Sequence, residues 1–365
     1  MTQNGFRKVI MPARYVQGAG AVHEIGYYAK QFGDRPFVVS GKTAFSRVKS
    51  ELLASLTAAG VPMIGHDDSV TECTYEKIDE VMRDADRLGA DLIIGCGGGK
   101  AVDTAKAAAD KLGIPVMTFP TQCATNADQM ADAVIFTEDH RFVEDYYLSR
   151  APVLVLVDTE VAGLAPVRFL VQGMGDALAS GFEKPAYAAT MKARKCENQA
   201  ATAALEVNLE CFSVLMAHGI QAKKDAERGK VTESLEVVIE AIKLMSGFGF
   251  GGGGCAAAHA IHNGLTALPG IKRKHGEVVA YGTIVQMVLE KRSMGEIERV
   301  VRWCRELGLP VRLSELGDVD AELLPVAAER ACDPKDTMSN MPFPVTPTSV
   351  LDAMREVERL AEVLA

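Results

Sequence analysis

The sequence lacks three features: paired cysteines, long apolar runs and blocks of like charge. Its eight cysteines are scattered, with no C-x-x-C pair and no regular spacing. This pattern argues against a disulfide framework and a cysteine-rich zinc site, and it favours a reducing cytosol. No stretch approaches the roughly 20 apolar residues that span a bilayer, and the first residues show no targeting signal. We therefore expect a cytoplasmic protein without a membrane segment.

Charge and length narrow the class of protein further. Charged residues make up 24% of the chain and sum to a net charge of -9, without long single-sign blocks. Nucleic acids and acidic membranes bind basic surfaces, which this composition does not provide. The 365 residues, 48% of them apolar, suffice for two domains with proper hydrophobic cores. We expect small molecules as partners and no nucleic acid.

The apolar pattern changes character along the chain. Short runs rich in β-branched residues, at 37–39, 92–95, 116–119 and 153–157, alternate with amphipathic stretches. Such runs are typical of strands buried on both faces of a parallel sheet. After Asp158, segments rich in Ala, Leu, Glu and Lys with helical spacing dominate. The sequence predicts an α/β domain over residues 1–162, followed by an all-α domain over residues 163–365.

A glycine triplet lies between a predicted strand and a predicted helix. Gly97, Gly98 and Gly99 follow a buried run and precede good helix formers. Glycines let backbone N–H groups approach a pyrophosphate, and the helix N-terminus adds partial positive charge. The pattern is neither G-x-G-x-x-G nor a Walker motif, because Lys100 directly follows the triplet and no Ser or Thr follows it. An ordinary strand-to-helix turn is the alternative.

A second segment favours a ligand site at the same edge of the sheet. The strand that ends at Phe119 is followed by the small, polar residues 120–128. Ligands of open α/β sheets bind at the carboxyl ends of the strands. The two segments together favour a dinucleotide-binding domain over a simple turn.

Three of the seven histidines lie close together in the predicted helical half. His259 and His262 lie on one face of a predicted helix, and His275 follows near the start of the next one. Asp176 lies in a small, apolar segment that should be buried, where an aspartate usually has a function. Imidazoles and a carboxylate suit a zinc ion with one open position. Histidines that cap helices or fill an interface are the alternative.

These segments, in this order, resemble the glycerol dehydrogenases of the iron-containing alcohol dehydrogenase and dehydroquinate-synthase-like superfamily. The similarity covers nearly the whole chain and is strongest over residues 97–106, 157–160, 173–179, 256–267 and 275–277. It implies a dehydroquinate synthase-like fold. It implies Asp176, His259 and His275 as metal ligands. It implies that the cofactor-binding residues are Gly97, Gly98, Gly99, Lys100, Asp103, Thr121 and Thr125.

The resemblance implies an NAD- or NADP-linked oxidation of a small polyol or hydroxy compound to the ketone, or the reverse reduction. Zinc would act as a Lewis acid on the alcohol, and the nicotinamide would accept the hydride. Ser180 stands where the iron-dependent branch has a histidine ligand, which favours zinc over iron. His262 is a catalytic candidate for passing the proton to solvent, with helix packing as the alternative. Members of this family assemble into rings or dimers, so we expect a homo-oligomer.

Departures from the family pattern concern the substrate. Asn126 stands where glycerol dehydrogenases have an aspartate that binds glycerol, and an amide can still bond to hydroxyl groups. Met130, Asp132 and Phe136 replace a serine, an aliphatic residue and a tyrosine near the nicotinamide. We expect Asn126 to bind the substrate, which is an alcohol or ketone that can differ from glycerol.

Another departure concerns the cofactor. Gly41, after the first predicted strand, stands where NAD-preferring members carry an aspartate for the adenosine ribose. The missing carboxylate removes repulsion against a 2′-phosphate, and Ser40, Lys42 and Thr43 offer hydrogen-bond donors. We therefore expect Gly41 to face the cofactor and NADP to be accepted.

Two alternatives act on phosphorylated substrates, namely a glycerol-1-phosphate dehydrogenase-like enzyme and a dehydroquinate synthase-like cyclase. The basic residues Lys272, Arg273 and Lys274 precede His275 and suit a phosphate. The motif around His259 argues against the cyclase. A non-catalytic binding protein is a third alternative, and it is expected to lack a metal ligand, whereas all three candidates are present.

Overall fold

The computed structural model describes residues 7–194, 199–250 and 254–364. Its strands, in chain order, are β1 (Arg7–Lys8), β2 (Tyr15–Gly18), β3 (Pro36–Ser40), β4 (Gly65–Asp67), β5 (Leu92–Gly97), β6 (Val116–Pro120), β7 (Asp132–Phe136), β8 (Phe142–Tyr147), β9 (Leu154–Asp158) and β10 (Gln199–Ala200). Its α-helices are α1 (Ile25–Ala29), α2 (Lys42–Ala58), α3 (Tyr75–Leu88), α4 (Gly99–Leu112), α5 (Thr159–Gly163), α6 (Val167–Leu178), α7 (Ser180–Arg194), α8 (Thr202–Glu227), α9 (Glu233–Lys243), α10 (Ala257–Thr266), α11 (His275–Leu289), α12 (Met294–Leu307), α13 (Leu324–Ala331) and α14 (Pro347–Val363).

The chain forms two compact units. The sheet unit comprises Ile10–Leu170 and Asp225–Gly247, and the helical unit comprises Met1–Val9, Val171–Lys224 and Phe248–Ala365. The division into domains of residues 1–162 and 163–365 stays a prediction. The compact units differ from this division in two respects. The boundary between them falls after Leu170, and residues Asp225–Gly247 of the second half belong to the sheet unit.

The sheet unit is built on six parallel strands in the order β2-β9-β6-β5-β3-β4. The four predicted runs correspond to β3, β5, β6 and β9, which confirms the α/β prediction. The edge strands β2 and β4 were not predicted, because their sequences YVQG and GHD are short and partly polar. The antiparallel hairpin of β7 and β8 was not predicted either, because β8 is largely exposed.

Alternate side chains of the central strands enter two separate cores. Val38 and Ile94 pack into one core with residues of α1 and α2. Phe37 and Ile93 pack into the other with residues of α3 and α4. Successive side chains of a strand point to opposite faces, so a sheet covered on both faces needs apolar residues at every position. This explains the unbroken apolar runs.

The register of the sheet aligns the carboxyl ends of three neighbouring strands. Ser40 of β3 pairs with Cys96 of β5, and Gly97 of β5 pairs with Pro120 of β6. The residues that follow these three strands therefore lie together at one edge of the sheet. This is the edge at which open α/β sheets bind ligands.

The helical unit confirms the prediction of a helical C-terminal half, apart from the two-residue parallel pair of β1 and β10. Glycines allow its central helices to approach closely. A Cβ on Gly282 of α11 would lie 2.4 Å from the carbonyl oxygen of Ala258 in α10. A Cβ on Gly264 of α10 would lie 2.2 Å from the carbonyl oxygen of Ala327 in α13. Helix α10 is thereby held between its two neighbours.

Helix α8 is long and apolar enough to cross a membrane by length and composition alone, contrary to the expectation from the sequence. One such helix is weak evidence for a membrane, because a core helix of a soluble protein passes the same test. Residues Ala204, Asn208, Cys211 and Leu215, spaced three to four apart, form a fully buried stripe along it. The indole N–H of Trp303 donates a hydrogen bond to the Leu215 carbonyl (3.1 Å). This stripe packs within the protein.

Candidate active site

The three predicted metal ligands come together in the helical unit. Asp176 lies in α6, His259 in α10, and His275 is the first residue of α11. Oδ1 of Asp176 lies 3.4 Å from Nε2 of His259 and 3.3 Å from Nε2 of His275. One ligand atom from each residue lies within 4.8 Å of the other two. Two imidazole nitrogens and a carboxylate oxygen that converge in this way form a donor set for a transition metal.

Two glycines explain how α6 and α11 come close enough for this. A Cβ on Gly276 would lie 1.9 Å from the carbonyl oxygen of Gln172, and a Cβ on Gly175 would lie 2.4 Å from the carbonyl oxygen of Gly276. No side chain fits at either position without backbone movement. Because these glycines adjoin His275 and Asp176, the glycine contact sets the distance between the two ligands.

The electrostatics of the cluster favour a cation. Burial alone would raise the pKa of Asp176, but His275 and His259 lower it well below its usual range. Burial would lower the pKa of His259, whereas Cys255, Glu183 and Asp176 raise it well above its usual value. The carboxylates of Glu183 and Asp176 therefore favour positive charge at the imidazole of His259. A metal ion supplies the same charge in place of a proton.

Glu183 of α7 is a site residue that the sequence analysis missed. Its side chain is 1% exposed, and Oε2 lies 2.6 Å from Nδ1 of His259. Its Oε1 accepts hydrogen bonds from the backbone N–H groups of Ala256 (2.7 Å) and His259 (2.9 Å). A carboxylate on the far nitrogen fixes the ring and its tautomer, so that Nε2 faces the metal position. The only signal in the sequence was an acidic residue seven positions after Asp176, in a segment where a Glu would normally be exposed.

We expect Glu183→Gln to raise the dissociation constant for zinc by about 10- to 100-fold, the usual effect of removing such a partner. The amide keeps the shape of the side chain but loses the charge that makes Nε2 of His259 more basic. The measurement is a zinc titration of metal-free protein against a chelating dye. Glu329→Gln, an exposed change in α13, is the control. A zinc affinity equal to that of this control would show that Glu183 serves the fold alone.

His275 is held by a chain of polar contacts. Its Nδ1 lies 3.1 Å from Nε2 of His262, whose Nδ1 lies 3.0 Å from Oδ1 of Asn263. Nδ2 of Asn263 donates to both carboxylate oxygens of Asp336, at 3.1 and 3.2 Å. Burial and the neighbouring His275 lower the pKa of His262 well below its usual value. His262 therefore contacts a ligand residue, and its catalytic role stays a prediction.

Among the described residues, Glu277 forms no hydrogen bond or ion pair with His275. Its carboxylate accepts a hydrogen bond from the backbone N–H of Lys274 (2.9 Å) in a capping box at the start of α11. The carboxylate also forms an ion pair with Arg273 at 2.7 Å. These contacts make Glu277 a cap at the start of α11. The ring of His275 is oriented by His262 instead.

The glycine triplet lies at the carboxyl end of β5, in the sheet unit. Gly97 has a φ of +156°, a conformation that favours glycine, and Gly98 is the N-cap of α4 without a side-chain cap. The backbone N–H of Thr121 donates to the Gly97 carbonyl (3.0 Å). A Cβ on Gly99 would lie 3.5 Å from Oγ1 of Thr125. The structure thus brings the triplet, Thr121 and Thr125 together around a helix N-terminus suited to phosphate.

Lys100 and Asp103, both predicted to bind the cofactor, have protein partners. Nζ of Lys100 lies 2.8 Å from Oε2 of the buried Glu72. Asp103 is buried against Lys106, with 2.8 Å between Oδ1 and Nζ, and burial raises its pKa to about 6. The side chain of Lys106 is fully buried and donates to the carbonyls of the segment 127–132. The observed contact of Asp103 is with Lys106, inside the protein. Direct contact of Asp103 with a cofactor stays a prediction.

Asn126 lies in the segment that follows β6. Its Nδ2 donates to Oγ of Ser246 (2.8 Å). Two residues on, Asp128 forms a buried ion pair with Lys243 at 2.7 Å, and Nζ of Lys243 also donates to the Thr125 carbonyl (2.7 Å). Residues 125–128 are therefore fixed from α9 and the turn after it. This rigid support, which the sequence analysis missed, suits a segment that orients a ligand.

Gly41 lies directly after β3, at the same edge of the sheet as the glycine triplet. Its backbone nitrogen lies 4.0 Å from the position of a Cβ on Gly97. Lys42 and Thr43 are exposed, whereas Ser40 is fully buried. Of the three donors considered for a 2′-phosphate, Lys42 and Thr43 are accessible and Ser40 is not.

The basic triplet before His275 is partly neutralised. Lys272 pairs with Asp318 at 2.5 Å, and Arg273 pairs with Glu277 at 2.7 Å. Two of the three cations that would have to bind a phosphate thus have acidic partners. This weakens the case for the phosphorylated-substrate alternatives.

A parallel sheet with a glycine-lined helix N-terminus, together with an Asp–His–His cluster in a helical unit, defines a metal-dependent dehydrogenase. A sequence model described as iron-containing alcohol dehydrogenase matches residues 12–159. A glycerol dehydrogenase of Thermotoga maritima is 41% identical over 360 residues, with 96% of each chain covered. A glycolaldehyde reductase of Halobacterium salinarum is 39% identical over 354 residues, again with 96% of each chain covered.

Solved structures agree with these relatives. The crystal structure of a probable glycerol dehydrogenase from Sinorhizobium meliloti matches with a TM-score of 0.89 and 34% identity, covering 98% of this chain and 99% of that chain. The chain therefore belongs to the family of iron-containing alcohol dehydrogenases. It is an oxidoreductase that acts on CH–OH groups, and the alternatives with phosphorylated substrates are not favoured.

Proposed function

We propose that the chain is a zinc-dependent, NAD(P)-linked dehydrogenase that interconverts a small polyol or hydroxy compound and its carbonyl form. The observation that carries the proposal is the convergence of Asp176, His259 and His275, each ligand atom within 4.8 Å of the others. The names of the relatives, glycerol dehydrogenase and glycolaldehyde reductase, support a small hydroxylated substrate.

The donor set fits a metal, and Ser180 supports zinc with three protein ligands. Oγ of Ser180 donates to the Ala177 carbonyl (2.6 Å), so the hydroxyl is engaged within the helix turn. Asp176, His259 and His275 would hold the ion. When bound, zinc supplies Lewis acidity toward the substrate hydroxyl.

The remaining roles are assigned to the chain's own side chains. We propose that Gly97, Gly98 and Gly99 offer backbone N–H groups to the pyrophosphate, with Thr121 and Thr125 beside them. A bound nicotinamide supplies the hydride acceptor. Nδ2 of Asn126 donates a hydrogen bond to Ser246. The Oδ1 atom of Asn126 is therefore the one that would accept a hydrogen bond from a substrate hydroxyl.

His262 is proposed to hold the proton that leaves the substrate hydroxyl. Its Nε2 lies 3.1 Å from Nδ1 of His275, so the ring lies beside a proposed ligand residue, near where a general base would be needed. Lys100 is proposed to pair with a phosphate in exchange for Glu72. Asp103 is proposed to act on the cofactor site indirectly, because its partner Lys106 donates hydrogen bonds to the carbonyls of the segment 127–132.

The cellular compartment is proposed from the cysteines, and the oligomeric state from the family resemblance. The seven described cysteines are all free, which supports a reducing, cytoplasmic compartment. A homo-oligomer is supported only by the family resemblance.

A parallel assay tests the proposed function. The purified protein is offered polyols, hydroxy acids and phosphopolyols, each with NAD and NADP, before and after chelation and zinc repletion. We expect oxidation of small unphosphorylated polyols or hydroxy compounds that chelation abolishes and zinc restores. Activity that survives complete metal removal, or that is confined to phosphorylated substrates, would contradict the proposal.

The cofactor preference gives a further prediction. We expect the wild type to use NADP readily, and Gly41→Asp to shift the ratio of kcat/KM values toward NAD by about 1–3 kcal/mol, or roughly 5- to 150-fold. The new carboxylate would accept the ribose hydroxyls and repel a 2′-phosphate. Gly41 has φ -94° and ψ 152°, which any residue adopts, and an added Cβ would lie 3.2 Å from the Val70 carbonyl oxygen, so that oxygen has to move by a few tenths of an ångström. The measurement is steady-state kinetics with both cofactors.

Gly41→Ser is the matched control for this prediction. Gly41 is the N-cap of α2 without a side-chain cap, so either Asp or Ser would also cap the helix and stabilise it by about a few tenths of a kcal/mol. Ser adds that cap without a charge. If both variants raise the unfolding temperature and neither alters the cofactor ratio, Gly41 is a helix cap that does not face the ribose.

A further inference from the structure

We propose that Glu72 and His140 control when Lys100 is free to bind a cofactor phosphate, and that binding of the dinucleotide therefore takes up a proton at His140. The inference rests on the proposed function, in which Lys100 exchanges Glu72 for a phosphate. It assigns positioning roles to two residues that the sequence analysis did not single out. All three residues belong to the sheet unit.

Lys100 and His140 share one carboxylate oxygen of Glu72. Oε2 of Glu72 lies 2.8 Å from Nζ of Lys100 and 2.5 Å from Nδ1 of His140, and the Glu72 side chain is only 6% exposed. Its Oε1 accepts a hydrogen bond from the backbone N–H of Cys73 at 3.1 Å. Burial would raise the pKa of Glu72, but hydrogen bonds from Lys100 and His140 lower it below its usual value. Burial raises the pKa of the Cys73 thiol to about 12, so this neighbour stays neutral.

The two partners of Glu72 differ in what they can do. Lys100 follows the glycine triplet and its side chain is 54% exposed, so its ammonium group can turn from Glu72 to a phosphate at the start of α4. A buried carboxylate without a partner is costly, so this turn is favourable only if another cation stays on Glu72. An imidazole changes its charge between about pH 5 and 8, so His140 supplies that cation when it takes up a proton.

The backbone holds His140 in place for this contact. His140 has a φ of 63°, a left-handed conformation that is uncommon for residues other than glycine. Its backbone N–H donates to the Thr137 carbonyl (2.9 Å). The N–H of Phe136 donates to the Cys73 carbonyl (2.8 Å), which ties the β7–β8 hairpin to the residue after Glu72. The tip of the hairpin is therefore docked with its imidazole on Glu72.

The other charged groups near His140 and along α4 have partners of their own. Asp139 and Arg141 flank His140 and pair with each other at 2.8 Å. Asp103 of α4 pairs with the buried Lys106 at 2.8 Å. Burial raises the pKa of Asp103 to about 6, so Asp103 is a second group that titrates near neutral pH. The test therefore has to separate Asp103 from His140.

The probe is ADP-ribose, because its pyrophosphate keeps its charge over the range in which histidine titrates. Its affinity for the full-length protein is measured by calorimetry at about pH 6 and about pH 8.5. We expect the wild type to bind about 3- to 10-fold more tightly at the lower pH, since uptake of a proton on binding changes the affinity by up to about tenfold per pH unit. At about pH 7, titrations in buffers of different ionisation enthalpy should show uptake of a fraction of a proton.

Two variants should remove the pH dependence in opposite directions. Glu72→Gln removes the anion that retains Lys100, so it should bind at both pH values about as tightly as the wild type does at the lower one. His140→Asn tolerates the left-handed conformation but takes up no proton, so it should bind at both pH values about as weakly as the wild type does at the higher one. Since His140 is 66% exposed, this variant should fold normally. His23→Asn, an exposed change in the same unit, should keep the pH dependence.

Proton uptake in His140→Asn equal to that of the wild type would overturn the inference, because Asp103 or another group would then take up the proton. Weaker binding at both pH values in Glu72→Gln protein that unfolds at the wild-type temperature would also overturn it. If Glu72→Gln does not fold, His140→Asn alone decides.

Two further variants distinguish this failure from failure of the proposed function. Lys100→Met should bind ADP-ribose weakly at both pH values. If Gly98→Val binds ADP-ribose as tightly as the wild type, or the wild type does not bind it, the proposed dinucleotide site fails and the inference fails with it. If Gly98→Val and Lys100→Met both weaken binding but wild-type binding does not depend on pH, the inference alone fails.

Discussion

Turnover is expected to fall by about 10³-fold or more when His259 or His275 is replaced by Ala. Each change removes one of three donors around a position where a cation would stabilise developing negative charge on the substrate oxygen. Such stabilisation amounts to several kcal/mol, and a loss of about 4 kcal/mol corresponds to roughly 10³-fold in rate. The measurement is kcat/KM with the best substrate of the panel, at saturating zinc and cofactor.

The two variants differ in their expected effect on stability. His259→Ala leaves Asp176 and the buried Glu183 without their shared imidazole, and an uncompensated buried charge costs about 3–5 kcal/mol. His275 is 42% exposed, so His275→Ala should unfold at nearly the temperature of the wild type. His275→Ala is therefore the cleaner probe of chemistry.

Two further measurements separate loss of metal from loss of fold. Zinc should raise the unfolding temperature of the wild type, as any ligand of the native state does, and should not raise that of either variant. Dinucleotide binding should persist in both variants, because the phosphate loop lies in the sheet unit. His23→Ala, an exposed change in that unit, is the control. Full activity in His275→Ala, with zinc stabilisation intact, would remove His275 from the site.

The features predicted correctly from the sequence are those carried by short contiguous segments. Unbroken apolar runs predicted β3, β5, β6 and β9, because strands buried on both faces need apolar residues at every position. The position of the glycine triplet between β5 and α4, and of His259 and His262 on α10, is likewise carried by local sequence, whereas their functions stay predictions. By contrast, the edge strand β2 satisfies its hydrogen bonds along β9 with an ordinary polar sequence, which carries no periodic signal.

The residues that support the site were missed because their roles depend on tertiary contacts. Glu183 and His259 are 76 positions apart, and Asn263 and Asp336 are 73 apart. A Glu or an Asp in a polar stretch is most often exposed, and nothing in its neighbours distinguishes a buried hydrogen-bond acceptor. Nothing in the sequence marks Lys106 as buried, for the same reason. Only the folded arrangement shows that its ammonium group is fully buried against Asp103.

The other large effect is expected at the phosphate loop, where Gly98→Val should raise the dissociation constant of the dinucleotide by about 100-fold or more. Gly98 has φ -88° and ψ -179°, an extended conformation that Val adopts readily, so the fold should survive. A Cβ there would lie 2.2 Å from Nε2 of Gln122. The valine would occupy the space above the start of α4 where a phosphate has to approach. Losing one or two hydrogen bonds to a charged phosphate, about 1.5–3 kcal/mol each, accounts for the magnitude.

Gly98 is a better probe than its neighbour. Gly97 has a φ of +156°, so any side chain there strains the backbone, and a loss of binding would not distinguish strain from obstruction. Gly18→Val is the matched control, because nothing lies within 4 Å of a Cβ on Gly18, in strand β2 of the same unit. Binding is measured by quenching of protein fluorescence or by calorimetry, with NAD and NADP in parallel.

Gln122 decides how a loss of affinity in Gly98→Val is interpreted. Its Oε1 is buried without a hydrogen-bond partner among the described residues, and its amide lies where the new side chain would go. The valine therefore either obstructs the phosphates directly or pushes Gln122 into their path. In the Gln122→Ala background the second route is closed. If the double variant binds the dinucleotide as tightly as Gln122→Ala alone, the N–H groups after Gly98 do not contact the pyrophosphate, and the loop is a strand-to-helix turn. If binding stays about 100-fold weaker, the backbone at Gly98 itself lies against the cofactor, since the three atoms nearest the added Cβ all belong to Gln122.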